Sequence, residues 1–151
     1  MSKVFREQKA SVASIDHYDA TRDSYLAQIT KSQTVKYVFS VNAGAQGNIN
    51  IPLKYPIPSG SIVLRTISYA TTTYAGANST VRLGLNAAND LNAAAITVAQ
   101  INAGWQESRE SAVAPVVATA ERSNLIFTIG GADATAGVVR ITIEYLLPFD
   151  T

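Results

Sequence analysis

From Val138 to Leu147 the chain reads VVRITIEYLL, and apolar and polar side chains trade places at nearly every step. Val139, Ile141, Ile143, Tyr145 and Leu147 fall on one side, with Val138, Arg140, Thr142 and Glu144 on the other. A helix would scatter those five apolar positions around its circumference, whereas a strand, with its period of two, gathers them on one face. The stretch predicts a half-buried β-strand, and so apolar a face has to be covered by a second layer.

The same period recurs along the chain. TVKYVFSV places Val35, Tyr37, Phe39 and Val41 on one face, and the turn NAGAQGN leads to NINIPL, a strand that Pro52 confines to an edge or an end. KYPIPSGS, with two prolines and a Ser-Gly pair, predicts a loop. SIVLRTISYATTTY, residues 61 to 74, predicts a long central strand with Ile62, Leu64 and Thr66 opposite Val63, Arg65, Ile67 and Tyr69. The turn AGAN then joins it to STVRLGL, with Val81, Leu83 and Leu85 inward, in an expected hairpin. A short strand is expected after Pro115, and NLIFTIGG is another, with Leu125, Phe127 and Ile129 inward and Gly130-Gly131 opening a second hairpin. After STVRLGL and before Pro115, NAANDLNAAAITVAQINAGW predicts a long connection with one or two helical turns. Six to eight short strands with little helix describe an all-β protein, an antiparallel β-sandwich of jelly-roll-like form over residues 34–151.

Residues 1–33 differ: charges are frequent and the apolar positions follow no steady period, which predicts an extended or partly helical N-terminal arm. Within it DATRDSYLAQITK, residues 19 to 31, predicts a short helix with Asp19 as N-cap. Fully extended, such an arm would reach roughly 110 Å, at about 3.3 to 3.6 Å per residue, enough to grip a neighbour. Its candidate partner contacts are Val4, Phe5, Val12, Ile15, Tyr18, Tyr25, Leu26 and Ile29.

Charged residues make up 15% of the 151 residues, against about 25% in a typical soluble domain. All five lysines stand at or before Lys54, and the cations beyond it are Arg65, Arg82, Arg109, Arg122 and Arg140. Protein interfaces favour arginine over lysine because the guanidinium is less strongly hydrated and carries a planar fork of donors, so these five are candidate interface residues. A net charge of +1 argues against a nucleic-acid partner, which would call for a basic patch or stripe. The chain has no cysteine, the first residues lack an apolar stretch of signal-peptide length, and no run approaches the ~20 apolar residues of a membrane helix. The expectation is a soluble protein made in the cytoplasm, with no membrane partner.

Parts for catalysis are scarce. His17, the single histidine, stands between Asp16 and Asp19 in the arm, away from any strand that would present a nucleophile. No serine lies in a Gly-x-Ser-x-Gly elbow. Glu107 and Glu110 beside Trp105 are the nearest approach to a glycosidase pair, but on a loop or helical turn that spacing more often marks a solvated face. Asn86, Asn89 and Asp90 offer oxygen ligands to calcium with one carboxylate among them, and turn and cap roles explain them equally well. Asn78-Ser79-Thr80 fits a glycosylation acceptor by spacing only. The expectation is a protein that is not an enzyme and needs neither cofactor nor metal.

The runs PIPSGSIVLRTISYATTTYAGANSTVRLGLNAANDLNAAAITVAQINAGW and ERSNLIFTIGGADATAGVVRITIEYLL resemble virion structural proteins of tailed bacteriophages over residues 56 to 147. The likeness is one of pattern: a Pro-x-Gly turn, a long strand, a short strand ending in LGL, an AND-L-AAA connection, then an LIFTI and G-VRI-IEYL pair. The resemblance implies a β-sandwich that occurs as an oligomer on the particle, foremost a capsid cement or decoration protein. It would be made in the host bacterial cytoplasm, sit on the capsid surface, and bind itself, with a homotrimer favoured, and the major capsid protein. The alternatives are a head-to-tail connector or tail component, and a surface carbohydrate-binding module with Trp105, Tyr69 and Tyr74 as its platform.

Overall fold

The computed structural model describes residues 30–92, 94–109 and 116–148. Among these residues eight strands run in chain order: β1 (Thr30–Val38), β2 (Gly47–Ile57), β3 (Ile62–Ala75), β4 (Thr80–Gly84), β5 (Ile96–Thr97), β6 (Gln106–Arg109), β7 (Arg122–Gly130) and β8 (Ala136–Leu146). They form two four-stranded sheets, the first in the order β1-β8-β3-β6 and the second in the order β2-β7-β4-β5. Every described pairing is antiparallel. The chain changes sheet at every connection except the one from β4 to β5, and this interleaving is the jelly roll of two nested Greek keys.

That topology overturns both expected hairpins. AGAN joins β3 of the first sheet to β4 of the second, and Gly130-Gly131 joins β7 of the second to β8 of the first. Turn residues set local backbone angles; they do not choose the partner strand. Three boundaries also move. β1 begins at Thr30, so residues 30–33, assigned from the sequence to the arm and partly to its helix, are strand, and Gln33 is buried. β1 stops at Val38, where one helical turn, α1 (Phe39–Asn42), replaces the expected strand end and leaves Val41 exposed. β2 continues through Pro56 to Ile57, past the expected loop start, with a register shift beyond Pro52. Both prolines are tolerable there because β2 is an edge strand and a missing N–H can face away from the ladder.

The core lies between the sheets. Tyr37 of the first stacks on Phe127 of the second with centroids 4.4 Å apart and ring planes 3° apart, and Tyr74 meets Tyr37 edge-on at 6.1 Å. The Tyr37 hydroxyl donates to the carbonyl of Ala43 at 2.8 Å. Burial, with the neighbouring Tyr74 second, pushes its pKa up to about 12. Leu125, Phe127 and Ile129 of β7 and Val139, Ile141, Ile143 and Tyr145 of β8 all point inward, as their alternation predicts. At one open edge Gln33 closes the sandwich: its Nε2 donates to the Tyr55 carbonyl at 2.9 Å and its Oε1 accepts from the Tyr55 amide at 3.2 Å, so a side-chain amide imitates one rung of ladder between β1 and β2.

β3 departs from simple alternation. Val63 pairs with Tyr145 and Arg65 with Glu144, so Leu64 is an extra residue, a bulge. Beyond it the faces exchange: Val63 points inward before the bulge and Thr66 and Ser68 after it, so the two faces read from strict alternation, Ile62, Leu64 and Thr66 against Val63, Arg65, Ile67 and Tyr69, are not kept. Gly137 permits the close packing at the other end: its φ is +125°, and a Cβ there would stand 2.6 Å from the Tyr74 Cα. The long connection carries α2 (Val98–Ala103), later than its alanine run, started by a capping box in which Thr97 and Gln100 bind each other's backbone N–H.

Candidate functional site

The residues singled out for chemistry fall into structural roles where they are described. Glu107 lies on a strand, β6, and not on a loop or helical turn; it pairs in register with Ile67, and its carboxylate reaches Arg65 at 3.4 Å. Asp90 accepts backbone N–H bonds from Leu85 at 2.6 Å, Asn86 at 3.0 Å and Ala87 at 3.3 Å, which commits its carboxylate to shaping the turn after β4. Asn86 accepts from Thr119 N, Thr119 Oγ1 and Arg122 Nε and donates to the Val117 carbonyl, tying that turn to residues 117–122. Asn89 holds a positive φ of 71°, as a turn residue does. Among the described residues no group of three or more His, Asp or Glu could hold a metal ion. Ser79 is buried and bonded to Tyr74 Oη, between Asn78 in the turn and Thr80 at the start of β4.

Asp16, His17, Asp19, Glu110 and all eight arm contacts, Val4, Phe5, Val12, Ile15, Tyr18, Tyr25, Leu26 and Ile29, lie outside the described residues. The five arginines do not form one surface. Arg82 stands on β4 and Arg122 on β7, both in the second sheet; Arg122 is bound to Asn86 and Thr119. Arg65, Arg109 and Arg140 belong to the first sheet.

Register resolves the outer face of the first sheet into rows that cross its strands. One row holds Ser32 opposite Glu144, Glu144 opposite Arg65, and Arg65 opposite Arg109. Here Arg65 grips Glu144 with both prongs of its fork, Nε at 2.6 Å and Nη2 at 3.1 Å, and reaches Glu107 in the next row. Those bonds, Glu144 first and Glu107 second, raise the Arg65 pKa further. The next row is Thr34, Thr142, Ile67 and Glu107, with the two threonine hydroxyls 2.8 Å apart.

The third row differs in kind. Lys36 stands directly opposite Arg140, and Arg140 opposite Tyr69. Arg140 Nη1 donates to the Tyr69 hydroxyl at 3.5 Å. The Tyr69 ring lies 5.9 Å from that of Trp105, which is 73% exposed. Two cations therefore sit beside two aromatic rings across about 14 Å of sheet, at ~4.8 Å per strand. Like charges directly opposite one another destabilise a sheet. The described acids on this face, Glu144 and Glu107, are engaged by Arg65. Tyr74, expected beside these rings, is instead buried in the core, because the β3 register shifts between Ala70 and Ala75 turn it inward.

Sequence reasoning grouped Trp105 and Tyr69 with Tyr74 as one platform, held Arg140 apart among the interface arginines, and passed over Lys36. Alternation places Lys36 outward, but only the β1-β8 register brings it to Arg140.

No family model matches this chain, and no curated protein matches it. Solved structures share its fold. A chain in the acid-stable capsid of Helicobacter pylori bacteriophage KHP30 superposes with a TM-score of 0.53 at 13% identity, covering 80% of this chain and 90% of that one. The capsid of cyanophage Pam1 gives 0.53 at 17%, covering 79% and 85%. The capsid of Ralstonia phage GP4 gives 0.55 at 14%, covering 80% and 86%. At such identities the likeness establishes the fold, a jelly roll also present in three bacteriophage capsids.

Proposed function

We propose that this chain is a non-enzymatic structural protein of a tailed-phage virion, a cement or decoration protein that binds the major capsid lattice as a homotrimer or another small ring. One observation carries the reading: the two four-stranded sheets and their strand order make a jelly roll that chains of three phage capsids share over 85 to 90% of their own length. The near-neutral composition suits repeated contacts between copies. An arm before β1 that adds a second attachment would strengthen each contact through effective concentration. On this reading the protein is made in the cytoplasm of the host bacterium and ends on the capsid surface.

The test is the copy number of this chain relative to the major capsid protein, by quantitative mass spectrometry of purified particles. A simple fraction of the lattice supports cement or decoration. A few copies per particle move the chain to the head-to-tail connector or tail, and absence from particles overturns the structural role.

A second reading, a surface carbohydrate-binding module, has one observation in its favour, the exposure of Trp105 beside Tyr69. It loses Tyr74 from its platform, since that ring is fully buried.

A further inference from the structure

The row Lys36, Arg140, Tyr69 and Trp105 combines features that a solvated sheet face does not need. Tryptophan, tyrosine and arginine are the residue types most enriched where binding energy concentrates. The two cations stand side by side, and the described acids of their own face, Glu107 and Glu144, are engaged by Arg65. An occupant of this row has to bring carboxylates for Lys36 and Arg140 and apolar surface for the rings. A second copy presenting the same face brings cations to cations. A neutral sugar stacks on the rings and leaves the charges unanswered.

A segment of this chain meets both requirements. Residues 16–29 read DHYDATRDSYLAQI, with Asp16, Asp19 and Asp23 interleaved with Tyr18, Tyr25, Leu26 and Ile29. The segment joins β1 at Thr30, on the sheet that carries the row. Lys36 lies six positions along β1 from Thr30, about 20 Å at ~3.3 Å per residue. Asp23 lies seven positions before Thr30, which spans up to about 25 Å, and Asp19 eleven, up to about 40 Å, when extended. The connection is long enough to bring either carboxylate back to the row.

We infer that the outer face of the first sheet, along Lys36, Arg140, Tyr69 and Trp105, is the docking surface for residues 16–29 of this chain, with Asp16, Asp19 and Asp23 meeting the two cations and Tyr18, Tyr25 and Leu26 covering the rings. The inference rests on reading the arm as an attachment element. It is tested on the purified full-length chain, so its failure leaves the particle copy number standing, and the reverse.

Trp105 is the only tryptophan and reports on the site directly. In the full chain its emission is expected to be several-fold less quenched by acrylamide than in an Asp16→Lys, Asp19→Lys, Asp23→Lys variant. Adding Lys36→Glu and Arg140→Glu to that variant reverses both charge sets and is expected to restore the protection, a rescue that a merely structural role for these residues does not give. Zero-length carbodiimide coupling of Lys36 to Asp19 or Asp23 gives independent support, and mixed isotope-labelled copies tell whether the segment comes from the same or a neighbouring chain. Equal quenching in all three proteins overturns the inference. So does a Trp105 that is open in the full chain and becomes shielded only when polygalacturonate is added, which assigns the row to an acidic saccharide.

Discussion

The outer faces of the two sheets cover the same core and are written in different residues. On the second sheet Asn48 and Asn50 of β2, Asn124, Ile126 and Thr128 of β7, and Thr80 and Arg82 of β4 face outward, and Asn48 accepts a hydrogen bond from the Thr128 hydroxyl at 2.9 Å. That is a surface of amides and hydroxyls, content with water. On the first sheet the outward positions hold an ion-pair lattice around Arg65 and then two cations beside two rings. Inward-facing positions answer to packing and are alike in kind. Outward positions are free to differ, and the difference is what singles out the first sheet's face for the proposed docking.

Both faces rest on one core, and the largest expected effect tests that. Phe127→Ala removes the ring that stacks on Tyr37 across the sheets and is expected to cost about 3 to 5 kcal/mol in urea unfolding. Both faces should lose structure in a single transition, and two separate transitions would show that the sheets do not share one core.

Next comes alkaline pH. The folded Tyr37 hydroxyl titrates near 12 against 10.0 when free, so the folded state resists losing that proton. The stability linked to this group is complete below pH 10 and is lost as pH rises through about 12. Burial raises Tyr74 and Tyr145 in the same direction. Unfolding monitored against pH should steepen over that window, and Tyr37→Phe should flatten it.

Smaller still, Asp90→Ala strips three backbone N–H groups of their acceptor at the end of the second sheet. About 1 to 2 kcal/mol of stability should go, a capping-sized loss, with Trp105 emission unchanged. A shift in Trp105 would show that the two faces communicate. The smallest effect is expected at Asn48→Ala or Thr128→Ala, within about 0.5 kcal/mol by thermal unfolding and with no change in any partner's binding. Loss of binding from either would move the interaction surface to the second sheet.

Much of the architecture was legible because burial enforces period two. β7 and β8 were readable residue by residue, and the edge position of Pro52 followed from its missing N–H. Strand partnership was not readable, since alternation tells which side of a strand is buried and is silent on which strand lies beside it; hence the two hairpins that proved to be sheet changes. β6 escaped because Gln106, Glu107, Ser108 and Arg109 carry no β-branched or aromatic signal, and their strand is imposed by pairing with β3. The candidate row was half legible. Trp105, Tyr69 and Arg140 stood out by type, while Lys36 needed the register and Tyr74 needed the β3 irregularities to be placed.

β8 lies between β1 and β3, the middle of the first sheet, and Gln33 and Tyr145 meet across 112 positions of chain. Order in time follows from that order in space. Of the described strands β1 is synthesised first, and it cannot join its described partner, β8, until residue 146 has cleared the ribosome. Non-local pairing of this kind folds slowly, and the surface that bears Lys36, Arg140, Tyr69 and Trp105 does not exist until β8 slides in between β1 and β3. A copy in which β8 has not yet paired cannot present the face.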